Sequence, residues 1–160
     1  MNQLLIAIIL TVLPITELRI GMPLAINYAI NNSIPIIAIA ILIILINILT
    51  IFAIYFFLEY IHKKLEKIKI YRRGFELWMS RIRKKVDKIE KKEGWAAFLA
   101  LYLFVAVPLP GTGAWTGTII AWFLGLKKKY SLIAISLGVI TAGIIIALAT
   151  MGIFKIKGII

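Results

Sequence analysis

The chain alternates between long uncharged apolar runs and short interruptions. Two of the runs, 34–58 and 131–154, contain no charged side chain. Each is longer than the roughly 20 apolar residues that cross a bilayer as a helix. Three shorter apolar stretches, 2–13, 95–107 and 118–126, predict helices that reach only part of the way, since each helical residue adds about 1.5 Å. The pattern predicts an all-α integral membrane protein.

Composition agrees with this prediction. Hydrophobic residues make up 62% of the 160 residues, whereas a soluble domain is apolar over about half of its sequence. The excess over a soluble protein therefore supports a membrane protein.

A tract rich in proline and glycine interrupts the apolar sequence in each half of the chain. The first is PITELRIGMP, 14–23, and the second is LPGTGAWTG, 109–117. Proline lacks a backbone donor and glycine permits sharp turns, so each tract should end one helix and begin another. We expect the new half-helices to start near Met22 and near Ala114. Irregular backbone at membrane depth must be covered by protein or line a water-filled cavity.

The two halves of the chain match when the sequence is shifted by 96 residues. Segment 13–25 then falls on 109–121, and the run 34–58 falls on 130–154. The shift pairs five identical residues: Leu13 with Leu109, Pro14 with Pro110, Thr16 with Thr112, Gly21 with Gly117, and Ala25 with Ala121. This similarity predicts two internal repeats.

A basic connector, 62–94, separates the repeats and carries most of the charge. Residues 62–93 hold 13 lysines and arginines against 5 acidic residues, which leaves +8 of the +12 net charge of the chain. Apolar residues recur there in steps of three and four, which predicts an amphipathic helix with a basic face. We therefore predict a single membrane domain, 1–160, with repeat 1 at 1–61 and repeat 2 at 95–160.

The charge of the connector also predicts orientation. Cytoplasmic loops are enriched in lysine and arginine, which predicts a multi-pass protein of the cytoplasmic membrane with the connector on the cytoplasmic side. Because the basic block lies between membrane segments, we expect no nucleic-acid partner. The run 34–58 then crosses from outside to inside, and each interrupted segment folds as a re-entrant helical hairpin. The first hairpin enters from outside and the second from the cytoplasm, so the repeats have inverted topology.

Glu17 and Arg19 are the only charged side chains between Met1 and Leu58. A charge inside a membrane indicates function, because it is costly unless it has a partner. Arg19 suits a phosphate or carboxylate, which it can bind through two hydrogen bonds, and Glu17 is a candidate proton carrier. The alternative is a structural ion pair between the two that locks the first hairpin.

The other candidate residues lie in the two interrupted tracts. The candidate substrate-binding residues are Arg19, Thr16, Gly111, Thr112, Gly113 and Trp115. The residues expected to shape the hairpins are Pro14, Gly21, Pro23, Pro108, Pro110 and Gly117. The threonine hydroxyls either bind substrate or satisfy carbonyls of their own turns. Asn47, near the middle of its run, is expected to form hydrogen bonds between helices.

The sequence has few residues suited to metal binding or catalysis. The chain has no cysteine and a single histidine, His62, so we expect no metal site and no cofactor. The membrane segments offer one carboxylate and no nucleophile with a base, so we expect no enzyme activity. Stripes of small residues permit a homodimer, but they permit helix packing within one chain equally well.

The motifs ELRIGMP, 17–23, and PLPGTGAWTG, 108–117, resemble the small multidrug export family of prokaryotic membrane proteins. That family looks like a distant branch of the DedA/VTT superfamily, and the resemblance covers nearly the whole chain outside the connector. It implies paired re-entrant hairpins in inverted repeats. DedA-like proteins are associated with moving polyprenyl phosphate or phospholipid across membranes and with proton-linked activity. Glu17 and Arg19 match their acidic and basic hairpin positions.

The second tract departs from the DedA-like pattern. It has no acidic residue after its Pro-x-Pro and no arginine motif after the hairpin. Coupling that uses charges from both repeats is therefore in doubt for this chain.

These observations predict a transporter or flippase. It would bind an anionic lipid headgroup, similar to that of a polyprenyl phosphate, between the two hairpin tips, with Glu17 coupling transport to protons. Two alternatives stay open. One is a proton-coupled exporter of lipophilic drugs, and the other is a protein that scaffolds membranes through its connector.

Overall fold

The structure is a computed structural model. The residues that it describes are 2–62, 67–70, 72–74, 76–77, 80, 94–156 and 158. Their regular structure is helical, so the predicted all-α class is confirmed. In chain order the helices are α1 (Gln3–Val12), α2 (Glu17–Asn31), α3 (Ile36–Phe56), α4 (Gly94–Ala106), α5 (Ala114–Phe123) and α6 (Lys128–Ile156). A π-helical segment, Phe57–His62, continues α3.

Two helices are long and apolar enough to cross a membrane. One is α3 with its continuation, Ile36–Tyr60, which has a mean hydropathy of 3.1, and the other is α6, with a mean hydropathy of 2.6. Both expose large apolar side chains: Ile37 is 75% exposed and Leu148 is 65% exposed. Lipid accepts such a surface more readily than water does, because apolar area in water is unfavourable.

In the first half of the chain, α1 packs closely along α2. The contact depends on Gly21, because a Cβ atom there would collide with the Thr11 hydroxyl and would lie 2.9 Å from the Ala7 carbonyl oxygen. Helix α2 also packs against α3 and α6. Its buried face includes Met22 and Ile26, both fully inaccessible to solvent. Helix α2 therefore packs against α1 and α3 of the first half and against α6 of the second half.

The second half has the same order of helices but packs differently. Helix α4 packs mainly against α6 and makes few contacts with α5. A Cβ atom at Gly138 would lie 2.7 Å from Cβ of Val105 and 3.0 Å from the Tyr102 carbonyl oxygen, so the glycine permits this approach. The Tyr102 and Thr141 hydroxyls are 3.2 Å apart at the same interface. The inverted topology and the re-entrant hairpins therefore remain predictions.

The first interruption is shorter than the sequence predicted. Helix α2 begins at Glu17, not near Met22, so Gly21 and Pro23 lie inside a helix. The tract contains good helix formers, and Gly21 lets that helix lie directly on α1. Proline inside a membrane helix is tolerated where neighbouring helices satisfy the freed backbone groups. In the second tract the prediction is confirmed, because α5 begins at Ala114.

The connector is described only in part. Positions 69, 70, 72–74, 76, 77 and 80 are helical, and Arg72 pairs with Glu76 one turn later at 3.8 Å. The rest of the predicted amphipathic helix lies outside the described residues.

Candidate functional site

The two breaks in the helices meet each other in the folded chain. We call residues 13–16, between α1 and α2, break 1, and residues 107–113, between α4 and α5, break 2. The contacts that join the two regions come from Glu17 and Arg19, in the first turn of α2 after break 1, and from residues 112–115, at the end of break 2 and the start of α5. The structure thus brings Glu17 and Arg19, the only two charged side chains before Glu59, to the start of α5.

Glu17 binds the N-terminus of α5. Its side chain is buried, at 5% exposure. One carboxylate oxygen accepts a hydrogen bond from the Trp115 backbone N–H at 3.1 Å, and the Ala114 backbone also bonds to the carboxylate. The first N–H groups of a helix lack partners within the helix and favour an anion. Glu17 is the anion that occupies this position.

Two backbone features hold Glu17 there. Glu17 itself has a positive φ of 43°, which is uncommon for a residue with a side chain and costs about 1 kcal/mol or more. Gly113 has a φ of 132°, and a Cβ atom at this position would collide with the Glu17 carboxylate. The lack of a side chain at Gly113 therefore makes room for the carboxylate.

Arg19 reaches the same break. Its guanidinium donates to the Thr112 backbone carbonyl and, over 3.1 Å, to the Thr112 hydroxyl. In the described part of the chain, the ion pairs within 4 Å are Arg72–Glu76 and Lys128–Glu59, so Glu17 and Arg19 are not directly paired. Glu17 instead binds the N-terminus of α5, and Arg19 binds Thr112 of break 2.

The threonine hydroxyls are used inside their own turns. The Thr112 hydroxyl lies 2.8 Å from the Val107 carbonyl and 2.7 Å from that of Leu109, and it accepts from the Leu109 N–H at 3.1 Å. Thr16 donates to the Leu10 carbonyl at the end of α1. The sequence predicts two roles for the threonine hydroxyls. In the structure, these hydroxyls form hydrogen bonds with carbonyls of their own turns.

Trp115 connects the two breaks a second time. Its indole N–H donates to the Val12 carbonyl at 2.8 Å, while its backbone N–H binds Glu17. Val12 is the last residue of α1, where carbonyls lack helical partners. Trp115 therefore bonds to the end of α1 and to Glu17 at the start of α2.

The other predicted residues have different positions. Pro14 lies in break 1, and Pro108, Pro110 and Gly111 lie in break 2. Gly117 is in α5, where a Cβ atom would lie 2.6 Å from a methyl carbon of Val105. Within the described residues, no group of three histidine, cysteine or acidic side chains could hold a metal ion.

A small cavity lies beside the two charged residues. It has a volume of about 10 Å³, the space of about one water. Its polar lining comes from Glu17, Arg19 and Asn47. Asn47 donates its amide N–H to the Thr11 carbonyl at 3.0 Å, which confirms the predicted bond between helices. A headgroup does not fit here unless the breaks move apart.

A larger cavity, of about 650 Å³, lies elsewhere, at the starts of α4 and α6. Trp95, Phe98 and Tyr130 line it with Lys127. None of the predicted site residues belongs to it.

Sequence reasoning missed two parts of the site: the need for space at Gly113 and the use of the Val12 carbonyl. The first had a signal, because the shift of 96 residues that aligns the repeats places Glu17 on Gly113. The use of the Val12 carbonyl had no signal in the sequence, since any residue has a backbone carbonyl.

Comparison with known proteins places the chain in a family. No curated protein and no solved structure shows significant similarity to it. A family model described as "Putative small multi-drug export protein" matches residues 17–145, from Glu17 through most of α6. Together with the apolar helices, this match makes the chain a membrane protein. The chain belongs to the family of small multi-drug export proteins.

Proposed function

We propose that the protein is a proton-coupled membrane transporter that carries an amphiphile with an anionic headgroup. The headgroup, of the polyprenyl phosphate type, binds between break 1 and break 2, and its tail stays in lipid. The observation that carries the proposal is the carboxylate of Glu17 on the N-terminus of α5, with Arg19 beside it.

The position of Glu17 supports an anion site. A buried carboxylate already takes the hydrogen bonds of Trp115 and Ala114. Helix N-termini also bind phosphate in this way. A substrate anion that displaces Glu17 gains the same donors, and Arg19 adds a charge that is always present.

Charge balance gives the reason for coupling to protons. With Glu17 ionised and Arg19 charged, the two side chains sum to zero, and a bound anion leaves a net charge in a poorly hydrated region. Protonation of Glu17 removes one negative charge and weakens its hold on α5, because hydrogen bonds to a charged acceptor are the stronger ones. The anion then restores neutrality beside Arg19. Proton uptake and anion binding therefore favour each other.

Movement of the breaks gives access to the site. The contacts Arg19–Thr112, Glu17–Trp115 and Val12–Trp115 join the helix ends that flank break 1 to break 2 and to the start of α5. In the proposal, the two breaks are tips of re-entrant hairpins in inverted repeats, as in transporters that bind substrate at the bilayer midplane. The described arrangement is then a closed state. Transport involves no covalent step, and the connector lies on the cytoplasmic side of the cytoplasmic membrane.

A second candidate is proton-coupled export of lipophilic drugs, such as a cationic drug, and the family description names multi-drug export. The cavity of about 650 Å³ has the size of sites for drug-sized ligands. Its aromatic residues, Trp95 and Tyr130, suit a cation through their ring faces. Lys127 in the same lining opposes a cation, and Arg19 opposes one at Glu17, so we place this candidate second.

The test is native mass spectrometry of the purified protein with three probes: a polyprenyl phosphate, the matching neutral polyprenol and a lipophilic cation. We expect selective binding of the phosphate in the wild type and its loss in Arg19→Ala. The matched control is Arg72→Ala, which removes an exposed arginine outside the site. Equal binding of phosphate and polyprenol would contradict the proposal.

Cation binding that Trp95→Ala abolishes would favour the second candidate instead. A chain that lacks residues 64–92 separates both candidates from a scaffolding role. Transport should survive that deletion, whereas scaffolding through the connector should not.

A further inference from the structure

The larger cavity is a candidate binding site that includes no residue of break 1 or break 2. It has a volume of about 650 Å³ and lies between the start of α4 and the turn that leads from α5 into α6. Ala97, Leu101 and Ser131 form a buried floor. Trp95 and Tyr130 form a rim, where they are 73% and 58% exposed. The cavity is therefore closed at its base and open on one side.

The packing of α4 and α5 explains why the cavity is there. Beside break 2 the helices are close, because a Cβ atom at Gly117 would lie 2.6 Å from a methyl carbon of Val105. At the other end of the pair, the cavity lies between α4 and Gly125, which follows α5. Nothing lies within 4 Å of a Cβ atom at Gly125. The gap between the two helices therefore widens away from break 2, toward the end of the connector at Gly94.

The rim has the residues of a membrane boundary. Helix α6 is long and apolar enough to cross a membrane, and it begins at Lys128, directly beside the cavity. Tryptophan and tyrosine are enriched where a membrane meets water, because their rings are apolar and carry a polar group. The Trp95 ring also stacks on Phe98, with 5.0 Å between the ring centroids. These features indicate that the cavity opens at the boundary between lipid and water.

The charge at the rim favours an anion. Lys127 lines the cavity, and within 4 Å it has no ion pair among the described residues. Lys128, in contrast, pairs with Glu59 at 2.8 Å. The first turn of α6 contains no acidic residue, and the ammonium group of Lys127 has no acceptor for its free N–H groups. The lysine charge and the start of the helix therefore both attract negative charge.

We propose that this cavity binds a membrane phospholipid with an anionic headgroup. An acyl chain packs against Phe98 and Leu101, and the headgroup lies at the rim beside Lys127 and the start of α6. The lipid is resident there and is not the molecule carried at the breaks. The inference therefore goes beyond the proposed function and does not rest on it.

Other ligands fit the cavity less well. A small soluble anion would leave the apolar walls in contact with water, which is unfavourable. A lipophilic cation, or the ammonium of a zwitterionic headgroup, is repelled by Lys127. The volume is typical of sites that enclose drug-sized ligands, so the cavity holds part of a lipid while the rest stays in the bilayer.

The test measures access to the floor of the cavity. The chain has no cysteine, so Ser131→Cys introduces a unique thiol at a position that is 3% exposed. The full-length variant is placed in bilayer discs of phosphatidylcholine, with or without phosphatidylglycerol, and the rate of thiol labelling by a small maleimide is measured. We expect labelling to be about tenfold slower with phosphatidylglycerol, as for a lipid at about ten times its Kd.

Two charge variants in the Ser131→Cys background locate the headgroup. Lys127→Gln should weaken binding of the anionic lipid by about fivefold, the factor for one lysine near an anionic headgroup, and reduce the protection to about threefold. Lys155→Gln, at the far end of the same helix, is the matched control and should keep full protection. Equal effects of the two variants would overturn the proposal, because general attraction to the basic chain would then explain the protection.

Three further outcomes would also overturn it. Equal labelling in the two bilayers would mean that the occupant is a neutral lipid or another part of the chain. Stronger protection by a lipophilic cation would favour the second candidate function instead. Protection that Arg19→Ala removes and Lys127→Gln preserves would assign the lipid to the breaks. Loss of polyprenyl phosphate binding in Arg19→Ala with protection intact is the result expected if both proposals hold.

Discussion

The carboxylate of Glu17 occupies the space that a side chain at Gly113 would need. The two residues are 96 positions apart, the same distance that aligns the two halves of the sequence. The acidic residue of one half thus fits against the glycine at the corresponding position of the other. This contact holds the N-terminus of α5 against break 1.

Gly113→Ala should displace Glu17 from α5. The new methyl group collides with the carboxylate, and the backbone at φ 132° is unfavourable for any residue with a side chain. We expect a loss of about 2 to 4 kcal/mol in the free energy of unfolding, from strain plus a lost charged hydrogen bond. Thermal unfolding in detergent measures it.

Gly125→Ala is the matched control for that variant. Gly125 also has a positive φ, of 61°, but no atom lies within 4 Å of the added Cβ. It should cost about 1 kcal/mol, from backbone strain alone. Equal losses in the two alanine variants would show that the carboxylate does not matter.

Glu17→Gln should be less stable than the wild type, and Glu17→Ala should be less stable still. Glutamine keeps one acceptor for Trp115 but places an amide NH₂ toward the remaining N–H of α5, and it leaves Arg19 without a nearby opposite charge. We expect a cost of about 1 to 2 kcal/mol for Gln and more for Ala, which leaves both N–H groups unpaired. Glu59→Gln, at the surface pair with Lys128, should cost well under 1 kcal/mol. A Glu17→Gln variant as stable as the wild type would contradict this order.

The contribution of Thr112 to stability should come from its hydroxyl rather than from its methyl group. Thr112→Val removes the bonds from the hydroxyl to the carbonyls of break 2 and the hydroxyl's contact with Arg19, and it keeps the bond from Arg19 to the backbone carbonyl. We expect it to destabilise the protein by about 1 to 3 kcal/mol, since buried partners are left unpaired. Thr112→Ser keeps the hydroxyl and should retain most of the stability. The same unfolding midpoint for Val and Ser would show that the hydroxyl contributes nothing.

Gly138 and Gly152 test the packing of α4 on α6. An alanine at Gly138 would lie 2.7 Å from Cβ of Val105, so the helices must separate, whereas nothing lies within 4 Å of a Cβ atom at Gly152. We expect Gly138→Ala to cost about 1 to 3 kcal/mol. Gly152→Ala, in the same helix, should be neutral or stabilising by up to about 1 kcal/mol, because alanine favours helix. A stabilising Gly138→Ala would contradict the packing of α4 on α6.

Local sequence specified α3, α6, the second break and the two candidate charges. Long uncharged runs specify α3 and α6, because a membrane helix must satisfy its backbone internally and present apolar side chains to lipid. The proline-rich tract at 108–117 specified the second break and the start of α5 at Ala114. Glu17 and Arg19 stood out because no other charge occurs before Glu59. These features are local, so a single chain segment carries each of them.

Tertiary structure decided what those elements bind. Helix α2 begins at Glu17 rather than near Met22, because Gly21 packs on Thr11 and makes a helix favourable where the sequence pattern predicted a break. Glu17 and Arg19 face break 2 rather than each other, because the free N–H groups of α5 and the Thr112 carbonyl lie within reach only after folding. Contacts between positions about 95 residues apart depend on how the helices pack. The periodicity of a single segment does not predict that packing.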